Sequence, residues 1–119
     1  VRDIMKISNT MPIVKDNEKM SSVIIEITSK GFGCVGVVSF KNGKLIGIIT
    51  DGDLRRCMDS KILEKKAKEI MTKKPIIIDK NSFIHEALGF MNNKKITNCF
   101  ITEKDIPIGI LHVHDILKY

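Results

Sequence analysis

Apolar and polar positions in this chain switch between two periods, and the order of the switches occurs twice. Short β-branched runs, Pro12-Ile13-Val14 and Pro75-Ile76-Ile77-Ile78, each open on a proline. Proline suits the first residue of an edge strand, because its missing N–H need not pair. Turn- and cap-forming residues follow, Asp16-Asn17 and Asp79-Lys80-Asn81-Ser82. Helical spacing then takes over. Met20, Val23, Ile24 and Ile27 predict a helix over about residues 19–30, stopped by Gly31, and Ile84, Ala87, Leu88 and Met91 predict one over about 83–93.

Two hairpins come next. Strands over 34–40 and 45–50 join across Lys41-Asn42-Gly43-Lys44, and strands over 98–102 and 107–112 join across Glu103-Lys104-Asp105. Each hairpin feeds a helix, over 52–58 and 113–118, and each copy is preceded by a short helical turn, at 1–6 and 67–72. The pattern predicts an α+β fold of two βαββα repeats, at 1–60 and 67–119, with a polar, lysine-rich connector at 59–66. Neither repeat alone has enough chain to cover both faces of a three-stranded sheet. Two copies packed sheet to sheet share a core and acquire an approximate two-fold axis.

The repetition is sharpest where each hairpin ends. Gly47-Ile48-Ile49-Thr50-Asp51-Gly52-Asp53-Leu54-Arg55-Arg56 returns as Gly109-Ile110-Leu111-His112-Val113-His114-Asp115-Ile116-Leu117-Lys118, with Gly47/Gly109, Thr50/His112 and Asp53/Asp115 aligned without a gap. A strand that ends in a hydroxyl or an imidazole, followed by an acid opening a helix, makes a ligand edge.

Composition narrows the function. At 119 residues, 43% hydrophobic and 29% charged, the chain has the make-up of an ordinary soluble protein. It carries no apolar run of membrane-spanning length and no signal peptide, which points to the cytoplasm. It begins with Val rather than Met, as a piece of a longer protein does. The three cysteines form no CxxC pair and sit beside apolar residues, as buried thiols in a reducing compartment do. The net charge of +6 comes from scattered lysines, densest at 61–74. One Tyr, no Trp and no interleaving of basic with aromatic residues argue against a stacking surface for nucleic acid. No nucleophile–base pair, metal set or phosphate loop appears, so no catalytic residue and no metal ligand is assigned.

The twofold βαββα order, with its glycine, apolar strand and Thr/Ser-x-x-Asp signature, closely resembles a tandem cystathionine-β-synthase (CBS) domain pair, a Bateman module. The resemblance covers essentially the whole chain. It implies two clefts between the repeats that bind adenine or other nucleotides, and regulation of an attached enzyme or transporter. Thr-Asp-Gly-Asp-Leu-Arg-Arg in the first copy, Leu-His-Val-His-Asp-Ile-Leu in the second, Asp3-Ile4-Met5 and Pro12-Ile13-Val14-Lys15 are more particular. They are similar to the C-terminal CBS pair of sugar-phosphate isomerases of the D-arabinose 5-phosphate isomerase family (KpsF/GutQ). That resemblance implies a parent chain whose N-terminal sugar isomerase (SIS) domain interconverts D-ribulose 5-phosphate and D-arabinose 5-phosphate, supplying Kdo for lipopolysaccharide. The SIS domain is absent here, so the chain itself should not catalyse. The implied partners are that SIS domain, a nucleotide or nucleotide-sugar, and a second CBS pair in a homodimer, with neither nucleic acid nor membrane. No cofactor is required, and the effector is a cytidine or an adenine nucleotide.

Asp53 and Asp115 are the first candidates for ligand contact. A carboxylate can accept two hydrogen bonds from a ribose cis-diol, and an acid in a first helical turn also answers the helix dipole. Thr50 either contacts ligand or caps the helix. His112 stands where the first copy has Thr50, so the two clefts differ; imidazole can donate to phosphate or, protonated, pair with it. Arg55 and Arg56 can reach a phosphate or a neighbouring domain. By resemblance, Thr10, Met11 and Pro12 with Gly33 and Cys34 complete the cleft bearing His112 and Asp115. Met71, Thr72 and Pro75 with Thr97 and Asn98 complete the one bearing Thr50 and Asp53. The alternative function is a ligand-free structural module that holds an oligomer together.

Overall fold

The computed structural model describes residues 11–73, 77–79, 86, 89, 91 and 98–112. The chain divides into two compact units, one contiguous (Pro12–Pro75) and one formed by Val1–Met11 with Ile76–Tyr119. These units are offset from the sequence repeats. Residues 67–73, which open the second repeat, fold with the first.

In the contiguous unit the order is β1 (Ile13–Lys15), α1 (Met20–Lys30), β2 (Cys34–Val38), β3 (Leu45–Thr50), α2 (Asp51–Arg56), a 3-10 turn (Ile62–Glu64), α3 (Ala67–Ile70) and β4 (Thr72–Lys73). The sheet runs β1-β2-β3-β4, parallel between β1 and β2 and antiparallel elsewhere. β2 is central and buried along its whole length, which is why it reads as an unbroken apolar run. β1 is an edge, as its proline predicts, and the Pro12 carbonyl still accepts from the Gly36 N–H at 2.9 Å. α1 turns Met20, Val23 and Ile27 inward and ends on Gly31 in the left-handed conformation, its N–H donating to the Ile27 carbonyl. With Val14, Val35, Val37 and Ile49 these side chains form the core.

Several expectations change. β2 ends at Val38, not at residue 40: the Asp16 carboxylate takes the Phe40 N–H at 3.1 Å and draws the chain off the ladder. The helix after β3 spans Asp51–Arg56 rather than 52–58, because Thr50 caps it and Cys57 (φ −103°, ψ 7°) has left helical geometry. The connector at 59–66 is not merely solvated. Its 3-10 turn buries Ile62, 3% exposed, in the same core as Ala67.

The segment after that turn is bound through the backbone to the start of α1 and to the turn that precedes it. The Met20 N–H donates to Lys65 O at 2.8 Å, the Ala67 N–H to Glu18 O at 2.8 Å and the Lys68 N–H to Asp16 O at 3.1 Å. β4 then pairs with β3, adding a fourth strand where three were expected. Gly47 leaves room for this closure: a Cβ there would lie 2.5 Å from Met71 Sδ.

The second unit contains β5 (Ile77–Asp79), β6 (Asn98–Glu103) and β7 (Ile106–His112), in that order, with Glu86, Gly89 and Met91 helical between β5 and β6. β5 and β6 are parallel and β6 and β7 antiparallel, as in β1-β2-β3. The turn is two residues, Lys104-Asp105, both at positive φ (52° and 69°), as a type I′ hairpin requires. The first hairpin instead crosses a longer loop, where the Asn42 carboxamide oxygen accepts from the Lys44 N–H at 3.0 Å. Both hairpins carry a bulge at the same step. Val37 faces Gly47 while Val38 faces Leu45, and Ile101 faces Gly109 while Thr102 faces Pro107. Cys99, Phe100, Ile101, Ile110 and Leu111 are buried with Ile78 and Met91. Among the described residues no helix is long and apolar enough to cross a membrane.

Candidate functional site

Thr50 ends β3 in extended conformation (φ −109°, ψ 167°), which turns its hydroxyl toward the first helical turn. Thr50 Oγ1 accepts from the Asp53 N–H at 3.1 Å, and Asp53 Oδ2 accepts from the Thr50 N–H at 3.0 Å. This reciprocal pair is a capping box, and it satisfies two donors that a helix start leaves open. The other carboxylate oxygen, Oδ1, accepts from Arg56 Nη2 one turn along. The Asp53 side chain is only 8% exposed, whereas Arg56 is 70% exposed. The structure therefore places a buried carboxylate under a solvent-facing guanidinium.

The start of β2 lies beside this cap. Cys34 faces Thr50 across the ladder, and the Asp51 N–H donates to the Gly33 carbonyl at 3.0 Å. Gly33 has φ +74°, and a Cβ on it would sit 3.3 Å from Asp51 Oδ2. Burial, with the Asp51 carboxylate adding to it, pushes the Cys34 thiol from its ordinary value of 9.0 up to about 11. The thiol is thus protonated at neutral pH and is no nucleophile.

Within the contiguous unit the structure brings Gly33, Cys34, Thr50, Asp51 and Asp53 together where β2 begins and β3 ends. Met71 and Thr72 sit on the opposite side of β3, Met71 against Gly47 and Thr72 in register with Ile48. Pro12 is buried at the start of β1 and Met11, just before it, is half-buried. In the second unit Asn98 faces His112 across the ladder, matching Cys34 and Thr50, and both are half-buried. Thr10, Pro75, Thr97 and Asp115 lie outside the described residues. Among the described residues no group of three or more His, Cys, Asp or Glu side chains could hold a metal ion.

Sequence reasoning missed two participants. Arg56 was legible as a phosphate-reaching residue but not as the partner of Asp53, although the i, i+3 spacing carries that signal. Asp51 was not singled out at all. Its proximity to Gly33 and Cys34 follows from the hairpin register, with Cys34 opposite Thr50.

An α+β fold with a twofold strand–helix–hairpin order and a Thr-x-x-Asp cap defines a class of small paired-repeat modules. The chain belongs to the CBS domain family, which matches residues 1–60 and 67–119. It is a tandem CBS pair. Among curated relatives it is 43% identical over 118 residues to the uncharacterized protein RP505 of Rickettsia prowazekii, covering 99% of this chain and 37% of that one. It is 36% identical over 121 residues to the arabinose 5-phosphate isomerase KdsD of Francisella tularensis, covering 99% of this chain and 36% of that one. The chain thus spans little more than a third of these relatives. Among solved structures, CBSX2 in complex with AMP has a TM-score of 0.83 at 19% identity, covering 98% of this chain and 92% of that one.

Proposed function

We propose that this chain is the regulatory, nucleotide-sensing CBS pair of a cytoplasmic sugar-phosphate isomerase, its parent protein, which interconverts D-ribulose 5-phosphate and D-arabinose 5-phosphate for Kdo synthesis. The observation that carries this reading is the match along 99% of the chain to an arabinose 5-phosphate isomerase at 36% identity. The Thr50–Asp53 cap supports the sensing half, since a carboxylate one turn into a helix at a strand end is suited to the hydroxyls of a ribose. The parent's SIS domain holds the chemistry, and the pair, as a homodimer, shifts it by binding an adenine or cytidine nucleotide more tightly in one state than in the other.

A second reading is a ligand-free module that holds an oligomer together. One observation favours it: both Asp53 oxygens already have partners in the chain, as a purely structural acid would. The two readings separate in a thermal-shift panel of CMP, CMP-Kdo, AMP, ADP, ATP and arabinose 5-phosphate. A ligand bound only by the native state raises its stability by about 2.7 kcal/mol at one hundred times its Kd. A shift with any nucleotide, lost in Asp53→Ala or Asp115→Ala, supports sensing. A transition that no compound moves leaves the oligomer-holding role.

A further inference from the structure

We propose that Asn42 is a modification site, at which the Gly43 nitrogen attacks the Asn42 carboxamide and ammonia leaves, and that the native hairpin loop holds this deamidation back.

Asn42 alone among the asparagines precedes a glycine. A glycine there leaves the attacking nitrogen unhindered and its backbone free to turn toward the side chain. Both residues lie in the loop of the first hairpin, Asn42 exposed and Gly43 half-buried at φ +75°. Nothing lies within 4 Å of where a Cβ on Gly43 would stand, so a ring closed between the two residues has room. Lys41 and Lys44, exposed on either side, favour the deprotonated nitrogen that attacks.

The chemistry needs no partner but water. Gly43 N loses its proton as it bonds to Asn42 Cγ. The bond from Cγ to the carboxamide nitrogen breaks, and that nitrogen leaves as ammonia. Water then opens the cyclic imide at either carbonyl, giving an aspartate or an isoaspartate, with nothing oxidised or reduced. In the native loop both reacting groups are engaged. The Gly43 N–H donates to the Ser39 carbonyl at 2.9 Å, and the Asn42 carboxamide oxygen accepts from the Lys44 N–H at 3.0 Å. The Ser39 N–H closes the loop on the Lys44 carbonyl at 2.9 Å, and Ser39 Oγ accepts from the Lys41 N–H at 3.2 Å. Attack therefore waits for the loop to open. An isoaspartate, once formed, runs the backbone through the former side chain, which removes the acceptor of the Lys44 N–H and lengthens the link between β2 and β3.

Peptide mass mapping of the chain incubated at neutral pH, native and in guanidinium chloride, tests this. Asn17, exposed but followed by Glu18, is the internal standard. In denaturant Asn42 converts well ahead of Asn17. In the native chain Asn42 converts at least about tenfold more slowly than in denaturant, the effect of two hydrogen bonds of ordinary worth. Ser39→Ala, which removes one support of the loop, speeds the native reaction about threefold and leaves the denatured rate unchanged. No preference for Asn42 over Asn17 in denaturant overturns the site. Equal rates in the native and denatured chain, or in native Ser39→Ala and the native protein, overturn the guarding by the loop.

Discussion

Thr50 and Asp53 hold each other twice, each backbone N–H donating to the other's side chain, at 3.1 and 3.0 Å. The residues that mark the ligand edge in the sequence are therefore also what starts α2. Removing the hydroxyl alone should cost about 1 kcal/mol, the usual worth of such a cap. Thr50→Ala is expected to lower the urea midpoint accordingly and Thr50→Ser to leave it near the native value. Equal midpoints for the two variants would mean that the hydroxyl does not cap.

Gly33 is expected to tolerate no side chain. At φ +74° an L residue pays about 1 kcal/mol or more for the left-handed conformation, and the added Cβ meets Asp51 Oδ2 at 3.3 Å. Gly33→Ala should therefore destabilise the unit by roughly 1–2 kcal/mol in chemical denaturation. Pairing it with Asp51→Ala relieves the contact and should recover part of that loss.

Ile62 provides the test of the connector. It is 3% exposed in the core, whereas its neighbour Leu63 is 54% exposed. Ile62→Ala should cost about 2–5 kcal/mol, the range for emptying a buried aliphatic site. Leu63→Ala should stay within about 0.5 kcal/mol of the native protein. Similar costs at both positions would return 59–66 to the role of a solvated linker.

Cys34 sets a dependence on alkali. Its thiol titrates near 11 in the fold, against 9.0 ordinarily, because burial and the Asp51 carboxylate disfavour the thiolate. The folded state keeps a proton that the unfolded chain gives up, so stability is full below pH 9 and falls as pH rises from 9 toward 11. The loss is up to roughly 3 kcal/mol. Cys34→Ala should flatten that part of the stability–pH curve relative to the native protein. At pH 8, iodoacetamide should modify half-buried Cys57 ahead of buried Cys34 and Cys99.

The strand–helix–hairpin order was legible because periodicity reports burial, and burial here follows local pattern. Met20, Val23 and Ile27 lie inward as their spacing predicts, and Gly31 caps the helix they define. What was hidden depends on partners distant in sequence. Ile62 and Leu63 are two adjacent apolar residues in a mostly charged run, and nothing local says which of them packs inward or that the turn carrying them meets α1. β4 follows directly on a segment, 65–68, whose backbone is hydrogen-bonded to residues 16–20, a pairing distant in sequence. At the candidate site the cap was readable from Thr-x-x-Asp alone. The association of Cys34 and Gly33 with Asp51 was not, since it requires the register of the hairpin.

The matching bulges bear on ancestry. Regular strands can converge on one order, since few arrangements cover a small sheet, but an irregularity has no such reason to recur. That the ladder slips between Val37 and Val38 and again between Ile101 and Thr102, each time after the residue facing the glycine, is the mark of a copied template. The hairpin loops, one long and one of two residues, have since diverged around a defect that both halves inherited.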